Sequence, residues 1–318
     1  MSGKIQIGIC GYGNLGRGVE SEITKSGDME LAAIFSRRGA PFIPIDEAAA
    51  WKDKIDVMIL CGGSKSDLPQ QGPAFAKIFN TVDSFDTHAK IPEYFAEVDK
   101  AAKGAGHISV ISIGWDPGLF SLMRLYGSST IKEGKTYSFW GEGVSQGHGE
   151  AIRTVDGVAD AIQYTIPSAS AMERIRNGET PDLTTRDKHT RDCYVVLKDG
   201  ADPQEVEAKI KTMPDYFADY DTSVFFISAD DLKKNHAKLP HGGNVIHTGT
   251  TGDGHKQTIE FSLKLDSNPE FTSSILIAYA RAAYKLSAAG ETGARTAFDI
   301  PPKLLSESPP EDLIKRLL

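Results

Sequence analysis

The chain is poor in the residues that would mark a secreted, membrane-spanning or nucleic-acid-binding protein. It has three cysteines in 318 residues, Cys10, Cys61 and Cys193, an odd number with no metal-ligand spacing. A disulfide scaffold and a metal centre are therefore not expected, and reduced, mostly buried thiols in a cytoplasmic protein are. No apolar run approaches the roughly 18 residues of a membrane span. The opening Met-Ser-Gly-Lys-Ile-Gln-Ile has no long apolar stretch of the kind a signal peptide carries. Basic residues are in deficit, 35 against 43 acidic, for a formal net charge of -8. That balance argues against a nucleic-acid or anionic-membrane partner, which would need a basic field. Internal repeats and low-complexity tracts are absent. The 40% apolar and 25% charged content is ordinary for a globular chain, and the length suggests two domains.

The N-terminal third alternates apolar runs with helical spacing. Ile5 to Cys10, Leu31 to Phe35, Val57 to Cys61, Thr81-Val82 and Ile108 to Ile113 read as strands. Leu15 to Ile23, Pro73 to Phe79 and Pro92 to Lys103 read as the helices between them. Strands apolar along their whole length belong in a parallel sheet covered on both faces, so a doubly wound α/β domain is predicted. From about Trp115 the strands alternate polar and apolar residues, as at Thr136 to Trp140, Ala161 to Ile166, Cys193 to Leu197 and Thr258 to Leu265. This predicts a second, α+β domain with a largely antiparallel sheet. Thr272 to Ala289 reads as a long helix capped near Thr272 or Ser273, and the proline-rich last 25 or so residues as a surface wrap. The expected division is 1–118, 119–268 and a C-terminal helix and tail, 269–318, packing back on the core.

Gly11-Tyr12-Gly13-Asn14-Leu15-Gly16 follows the first strand and opens the first helix. Gly11 permits the tight turn, Gly13 lets backbone approach a pyrophosphate, and Gly16 allows close helix–strand packing. A glycine turn alone is weak evidence, but its place at the head of a βαβ pattern points to a dinucleotide site rather than a merely structural turn. The second strand ends in Ser36-Arg37-Arg38, where an NAD enzyme usually carries Asp or Glu. Two guanidiniums and a hydroxyl suit a 2′-phosphate, so NADP is predicted over NAD; the alternative is a solvated arginine pair. Cys61-Gly62-Gly63-Ser64 ends the third strand at the same edge and leaves room for the cofactor, or is an ordinary βα turn.

A nicotinamide cofactor implies hydride transfer. Asp83-Ser84-Phe85-Asp86-Thr87-His88 and Gly114-Trp115-Asp116-Pro117-Gly118 both follow strands at the carboxyl edge, where ligands of open α/β sheets bind. Trp140-Gly141-Glu142-Gly143-Val144-Ser145-Gln146-Gly147-His148 enters the second domain. Two aspartates beside an indole make an ammonium site. Each has a plainer alternative: Asp116 organises a bend, Asp86 caps a helix, Trp140 is core. His148 reads as a local hydrogen-bonding residue rather than a base.

Several strings taken together resemble the meso-diaminopimelate dehydrogenase family: Gly-Tyr-Gly-Asn-Leu-Gly-Arg (11–17), Phe-Ser-Arg-Arg (35–38), Gly-Trp-Asp-Pro-Gly (114–118), Phe-Trp-Gly (139–141), Ser-Gln-Gly-His (145–148), Met-Pro-Asp-Tyr-Phe (213–217), Pro-His-Gly-Gly (240–243) and Leu-Asp-Ser-Asn-Pro (265–269). The resemblance runs through essentially the whole chain. It implies reversible, NADP-dependent oxidative deamination of meso-2,6-diaminopimelate to L-2-amino-6-oxopimelate and ammonia, by a homodimer. Carried over residue by residue, Asp86, Asp116 and Trp140 hold the D-centre, with Gln146 and Gly147 near its carboxylate. Thr165, Arg191, His241 and Asn268 meet the distal L-centre, roles the residues alone do not reveal; without the family, Arg191 is a solvated cation and Asn268 a turn residue. The rival enzyme readings are dihydrodipicolinate-reductase-like and homoserine-dehydrogenase-like oxidoreductases, and the rival from another class is a non-catalytic NADP-binding sensor.

Overall fold

The computed structural model describes residues 3–318. Two compact units divide the chain: one runs to Leu122 and resumes at Pro269–Leu318, the other spans Met123–Asn268.

The first unit begins with β1 (Ile5–Cys10), α1 (Asn14–Lys25), β2 (Met29–Phe35), β3 (Val57–Leu60), α2 (Leu68–Ala76), β4 (Asn80–Asp83), α3 (Ile91–Ala105) and β5 (Ile108–Val110). Two of the sequence-based elements shift. The second helix starts at Leu68, with Pro69 in its first turn, and ends before Phe79. The fifth strand stops at Val110 because Ser112 takes a φ of 57°, which breaks the extended backbone. After a turn at 115–119 comes α4 (Phe120–Thr130).

The second unit continues with β6 (Glu133–Trp140), β7 (Gly143–Val144), α5 (Gln146–Arg153), β8 (Val158–Pro167), α6 (Ala169–Arg176), α7 (Thr185–Lys188), β9 (His189–Leu197), α8 (Pro203–Lys211), β10 (Asp221–Phe226), α9 (Ala229–Asn235), β11 (His241–Thr251) and β12 (His255–Leu265). These strands form two sheets rather than one. The first, ordered β10-β9-β8-β7, is mixed, because β10 runs parallel to β9; the second, β12-β11-β6, is antiparallel. One face of the mixed sheet (Ala161, Cys193, Val195, Val224, Phe226) packs under Ile152 of α5, Val206 and Ile210 of α8, and Phe217.

The chain then returns to the first unit through α10 (Asn268–Ala288), β13 (Gly293–Arg295) and α11 (Pro310–Leu317). Here the cap expected near Thr272 or Ser273 is corrected. The helix begins at Asn268, where Pro269 fits the first turn because it needs no backbone donor. The Ser273 hydroxyl instead lies 2.8 Å from the Pro269 carbonyl and 3.0 Å from that of Leu15. The tail is more than a surface wrap, since β13 pairs in parallel with β5. It completes a six-stranded parallel sheet ordered β13-β5-β4-β3-β1-β2. The core of this sheet is apolar on both faces, with Ile7, Ile9, Val57, Ile59 and Val82 on one and Cys10, Phe35, Met58 and Leu60 on the other, all at 0% exposure.

Arg281 of α10, 4% exposed, ties the tail down. It donates to Asp28 through Nε (2.5 Å) and Nη2 (2.8 Å), to Glu307 (3.0 Å) and to the Leu305 carbonyl (2.8 Å). Arg281→Ala should destabilise the protein by about 2–4 kcal/mol, short of a fully buried pair because Asp28 stays partly wet. Burial pushes the Asp28 carboxyl up, but the hydrogen bonds and charge of Arg281 outweigh it and hold the group below its ordinary value. A lowered carboxylate contributes stability above its unfolded pKa and loses it as pH falls through the folded one. Urea midpoints of wild type and variant should therefore differ at pH 7 and converge in acid.

Candidate active site

In the first unit, parallel β1 to β5 all release their following segments at one edge of the sheet. The order reverses around β1, which lies between β2 and β3, and such reversals leave a crevice at the strands' carboxyl ends. Gly11 has a φ of +99°, and a Cβ at Gly16 would stand 2.2 Å from the Gly11 carbonyl oxygen, so neither position admits a side chain. Around Gly13, which precedes α1, a Cβ would meet nothing within 4 Å, and α1 starts with no side-chain cap and no acidic residue in its first turn. Its N–H groups and positive dipole end suit a pyrophosphate. Tyr12 donates to Glu20 and packs on Phe42, with centroids 4.5 Å apart. Asn14 and Leu15 form the first turn, and Asn14 accepts a 2.5 Å hydrogen bond from Arg17.

At the end of β2, Ser36 is buried and its Oγ accepts from the Arg38 backbone at 3.2 Å, while both arginines are exposed. Arg37 stands 3.1 Å from Asp67, a carboxylate that the sequence did not single out, which also accepts from Gly63 N at 2.9 Å. Past β3, Cys61 is half-buried, and the Ser64 Oγ accepts from the Asp86 backbone at 3.1 Å, drawing the third and fourth strand ends together. A glycine cradle, an uncapped helix start and two guanidiniums at the ribose edge fit a dinucleotide bearing an extra phosphate. Replacing both Arg37 and Arg38 by alanine should lower kcat/KM for NADP by about ten- to a hundredfold, at about 1.5–3 kcal/mol for charge-assisted bonds. The value for NAD should barely change, as steady-state kinetics with each cofactor would reveal.

Asp86 and Asp116 follow β4 and β5, which are hydrogen-bonded neighbours. Asp86 is exposed, and neither α3 nor the short turn at 88–90 has a side-chain cap, so it is not a capping residue. Asp116 is half-buried in the tight 115–119 turn, where Gly118 takes a φ of 125°. The two segments are clamped from below by Asp83, which is fully buried. Its Oδ1 accepts from Phe85 N (2.9 Å) and Ser112 N (3.0 Å), and its Oδ2 from the Tyr94 hydroxyl (2.7 Å). Burial pushes the Asp83 carboxyl up while these three donors pull it back.

In the second unit the remaining residues gather around the segment 140–147. Trp140 is 36% exposed, whereas its neighbour Phe139 is core. The Trp140 ring stacks on His189 at 5.5 Å, and its backbone N donates to His189 Nε2 at 2.9 Å. Burial first, then the charges of Arg191 and Lys188, push His189 down to about 3, so it is a neutral platform. Gly143 pairs with Thr165, and a Cβ on it would lie 2.5 Å from the Cα of His241, which brings β7, β8 and β11 together. His241 Nδ1 lies 2.8 Å from Gly242 N and 3.2 Å from the Gly242 carbonyl oxygen. Burial first, and the Arg191 charge with it, hold His241 below its ordinary value, against the hydrogen bond that a protonated Nδ1 gives the Gly242 carbonyl.

Thr165 and Arg191 pair across β8 and β9 and are 4% and 6% exposed, so Arg191 is not the solvated cation that its sequence context suggests. Its guanidinium donates to Thr165 and lies 3.9 Å over the Tyr220 ring. Gln146 and Gly147 open α5, which has no side-chain cap. His148 contacts Ser145 Oγ at 2.7 Å, a local partner as expected. Asn268 is half-buried, and its backbone donates to the Leu239 carbonyl just before Pro240-His241. His189 and Tyr220 escaped the sequence reading, and Asp83 entered it only as the first residue of a strand-end segment, without a role. Only the two-residue alternation of β9 hinted at any of them, by putting His189 on the Arg191 face.

Among the described residues, no group of three or more His, Cys, Asp or Glu side chains could hold a metal ion. No helix is long and apolar enough to cross a membrane.

Comparison with known proteins gives concordant results. Residues 114–267 match the diaminopimelic acid dehydrogenase C-terminal domain. The meso-diaminopimelate D-dehydrogenase of Ureibacillus thermosphaericus is 60% identical over 99% of both chains. A six-fold mutant of the Clostridium tetani enzyme, solved with DAP, is 55% identical with a TM-score of 0.95, covering 99% of this chain and 100% of that one. The C. glutamicum DAP dehydrogenase in complex with DAP is 45% identical, with a TM-score of 0.93 over 99% of each chain. An engineered D-amino acid dehydrogenase bound to NADP+ is 43% identical, with a TM-score of 0.88, covering 99% and 100%.

Proposed function

The chain belongs to the meso-diaminopimelate D-dehydrogenase family, and from that premise we propose that it carries out the reversible, NADP-dependent oxidative deamination of the D-centre of meso-2,6-diaminopimelate, in lysine biosynthesis. The products are L-2-amino-6-oxopimelate, which cyclises to tetrahydrodipicolinate, with ammonia and NADPH. The observation that carries the reading is the pair Asp86 and Asp116, at the ends of adjacent parallel strands on the edge that bears the glycine turn.

The turn Gly11 to Gly16, Ser36 to Arg38, Cys61 and Ser64 would hold the dinucleotide, which when bound accepts hydride in deamination and returns it in the reverse direction. This chain's own residues handle the amine. An ammonium has no electron pair to donate as the Cα–H bond breaks, so the D-amino group must first lose a proton. Asp86 and Asp116 accept its N–H hydrogen bonds and stabilise the iminium that develops; the family likeness assigns the Trp140 face to the same positive charge. Water then adds to the imine carbon and ammonia leaves. Gln146 and Gly147, at the positive end of α5, suit the adjacent carboxylate. Arg191, Thr165, His241 and Asn268 take the distal amino-acid centre. Because both ends of the substrate are chemically alike, only distal docking can choose which one reacts. The solved mutant supports these assignments: its substituted glutamine, threonine, arginine, proline–histidine pair and asparagine follow one another at the same intervals as Gln146, Thr165, Arg191, Pro240, His241 and Asn268.

The enzyme acts in the cytoplasm as a homodimer. Three free cysteines and the exposed apolar side chains of Leu125, Tyr126 and Ile259 support that view, and light scattering would test the dimer. The function itself is tested by NADP reduction with the LL, meso and DD isomers supplied separately. Turnover should be confined to the meso form, and NADPH oxidation in reverse should require ammonia. Ammonia-independent reduction of a ring or aldehyde would replace this reading with one of its rivals.

A further inference from the structure

The covered face of the mixed sheet changes character along its strands. At one end it is apolar, with Ala161, Val195, Val224 and Phe226 under α5 and α8. Further along, the same face carries Gln163 and Thr165 of β8, Arg191 of β9 and Thr222 of β10. The register fixes their neighbourhood: Gln163 pairs with Cys193, Thr165 with Arg191, and Arg191 with Thr222. Thr222 is therefore directly opposite Arg191, and Gln163 is diagonal to it, within reach of a long side chain.

Gln163 is fully buried, yet neither its Oε1 nor its Nε2 has a hydrogen-bond partner; nor do Arg191 Nε or Thr222 Oγ1. These are four of the six buried side-chain N and O atoms without a partner among the described residues, and they share one patch. A buried polar atom without a partner has given up water for nothing, so folded chains seldom keep one. Four together, one of them on the arginine itself, are best accounted for by a ligand that supplies the missing partners. An anion alone would engage the donors on Arg191, Gln163 and Thr222 and leave the Gln163 carbonyl unsatisfied. An amino-acid centre brings both a carboxylate and an ammonium, and a carboxamide can serve each.

We propose that Gln163 is a further substrate-binding and specificity-determining residue, forming with Thr222 and Arg191 the floor that receives the carboxylate and ammonium of the non-reacting centre. The inference rests on the reading that Arg191 holds the distal end of the substrate. Tyr220, stacked on the guanidinium, fixes the plane in which Arg191 faces the ligand.

The test is Gln163→Met, which preserves length and approximate volume and removes both unpartnered atoms. A merely structural glutamine would lower the melting temperature of the substrate-free enzyme when replaced. Under the proposal that temperature holds or rises, while KM for meso-diaminopimelate rises about tenfold or more and kcat falls much less. The added melting temperature conferred by saturating substrate should shrink in parallel. The penalty should be smaller for D-2-aminopimelate, which lacks the distal ammonium, than for meso-diaminopimelate. Thr222→Val provides the same split should Gln163→Met fail to fold. If Arg191→Met raises KM and both other variants leave it unchanged, this inference is wrong and the distal assignment stands. If all three leave KM unchanged, the distal assignment itself falls, and the inference with it.

Discussion

Asp116→Asn should reduce kcat for meso-diaminopimelate oxidation by roughly two to three orders of magnitude, while NADP affinity stays within about threefold. A group aimed at charge that develops only in the transition state is worth about 2.7–4 kcal/mol. Asparagine keeps the shape of the side chain and so preserves the turn at 115–119. What it loses, on the proposed mechanism, is the negative charge that meets the iminium and the capacity to take a proton. The same change at Asp86 should cost less, because Asp86 is exposed and Asp116 half-buried, and water weakens the field of the first more than that of the second. Single-turnover measurement of NADPH formation separates chemistry from product release. A loss of less than about fivefold in both single variants and in the double variant would remove the aspartates from the mechanism.

Arg191→Met should act chiefly on binding. Arg191 is 6% exposed, contacts Thr165 and stacks on Tyr220, so its charge is held in a dry, fixed orientation. Losing one side of such a charge pair costs about 2–5 kcal/mol, which corresponds to a rise in KM of about thirtyfold to several thousandfold. Methionine fills similar space along the stem, so folding should survive. Discrimination among the three stereoisomers should also decline, since in the proposed binding mode the distal centre selects which amino group is presented for reaction. Kinetics with separate isomers read both effects. Unchanged KM together with unchanged isomer preference would place the distal site elsewhere.

The cofactor preference was legible because its signals are local. Gly11 and Gly16 are needed where one side chain would strike backbone, and Ser36-Arg37-Arg38 is read from its position after a strand. That Asp86 and Asp116 share one sheet edge was reachable by the same logic, since strand ends in a parallel sheet lie together. The second unit resisted it. Nothing near Arg191 announces that Tyr220 lies beneath it, and nothing near Trp140 announces that His189 does. These contacts join residues about 30 and 50 positions apart. Gln163 is similar: an ordinary polar residue in an alternating strand, distinguished only by what fails to reach it. The three-residue β13 has too little apolar character to be seen, and was found only by its pairing with β5.

The amino-acid order alone determined the parallel α/β core, the dinucleotide turn, the preference for a phosphorylated ribose and, through family likeness, the reaction. These follow from periodicity, from glycine's freedom and from charge, all of which act over a few residues. Tertiary structure alone decided which polar groups are dry, which rings support which charges, and that the tail supplies a strand. Burial and register are properties of strands brought together from distant parts of the chain, and short-range patterns do not encode them.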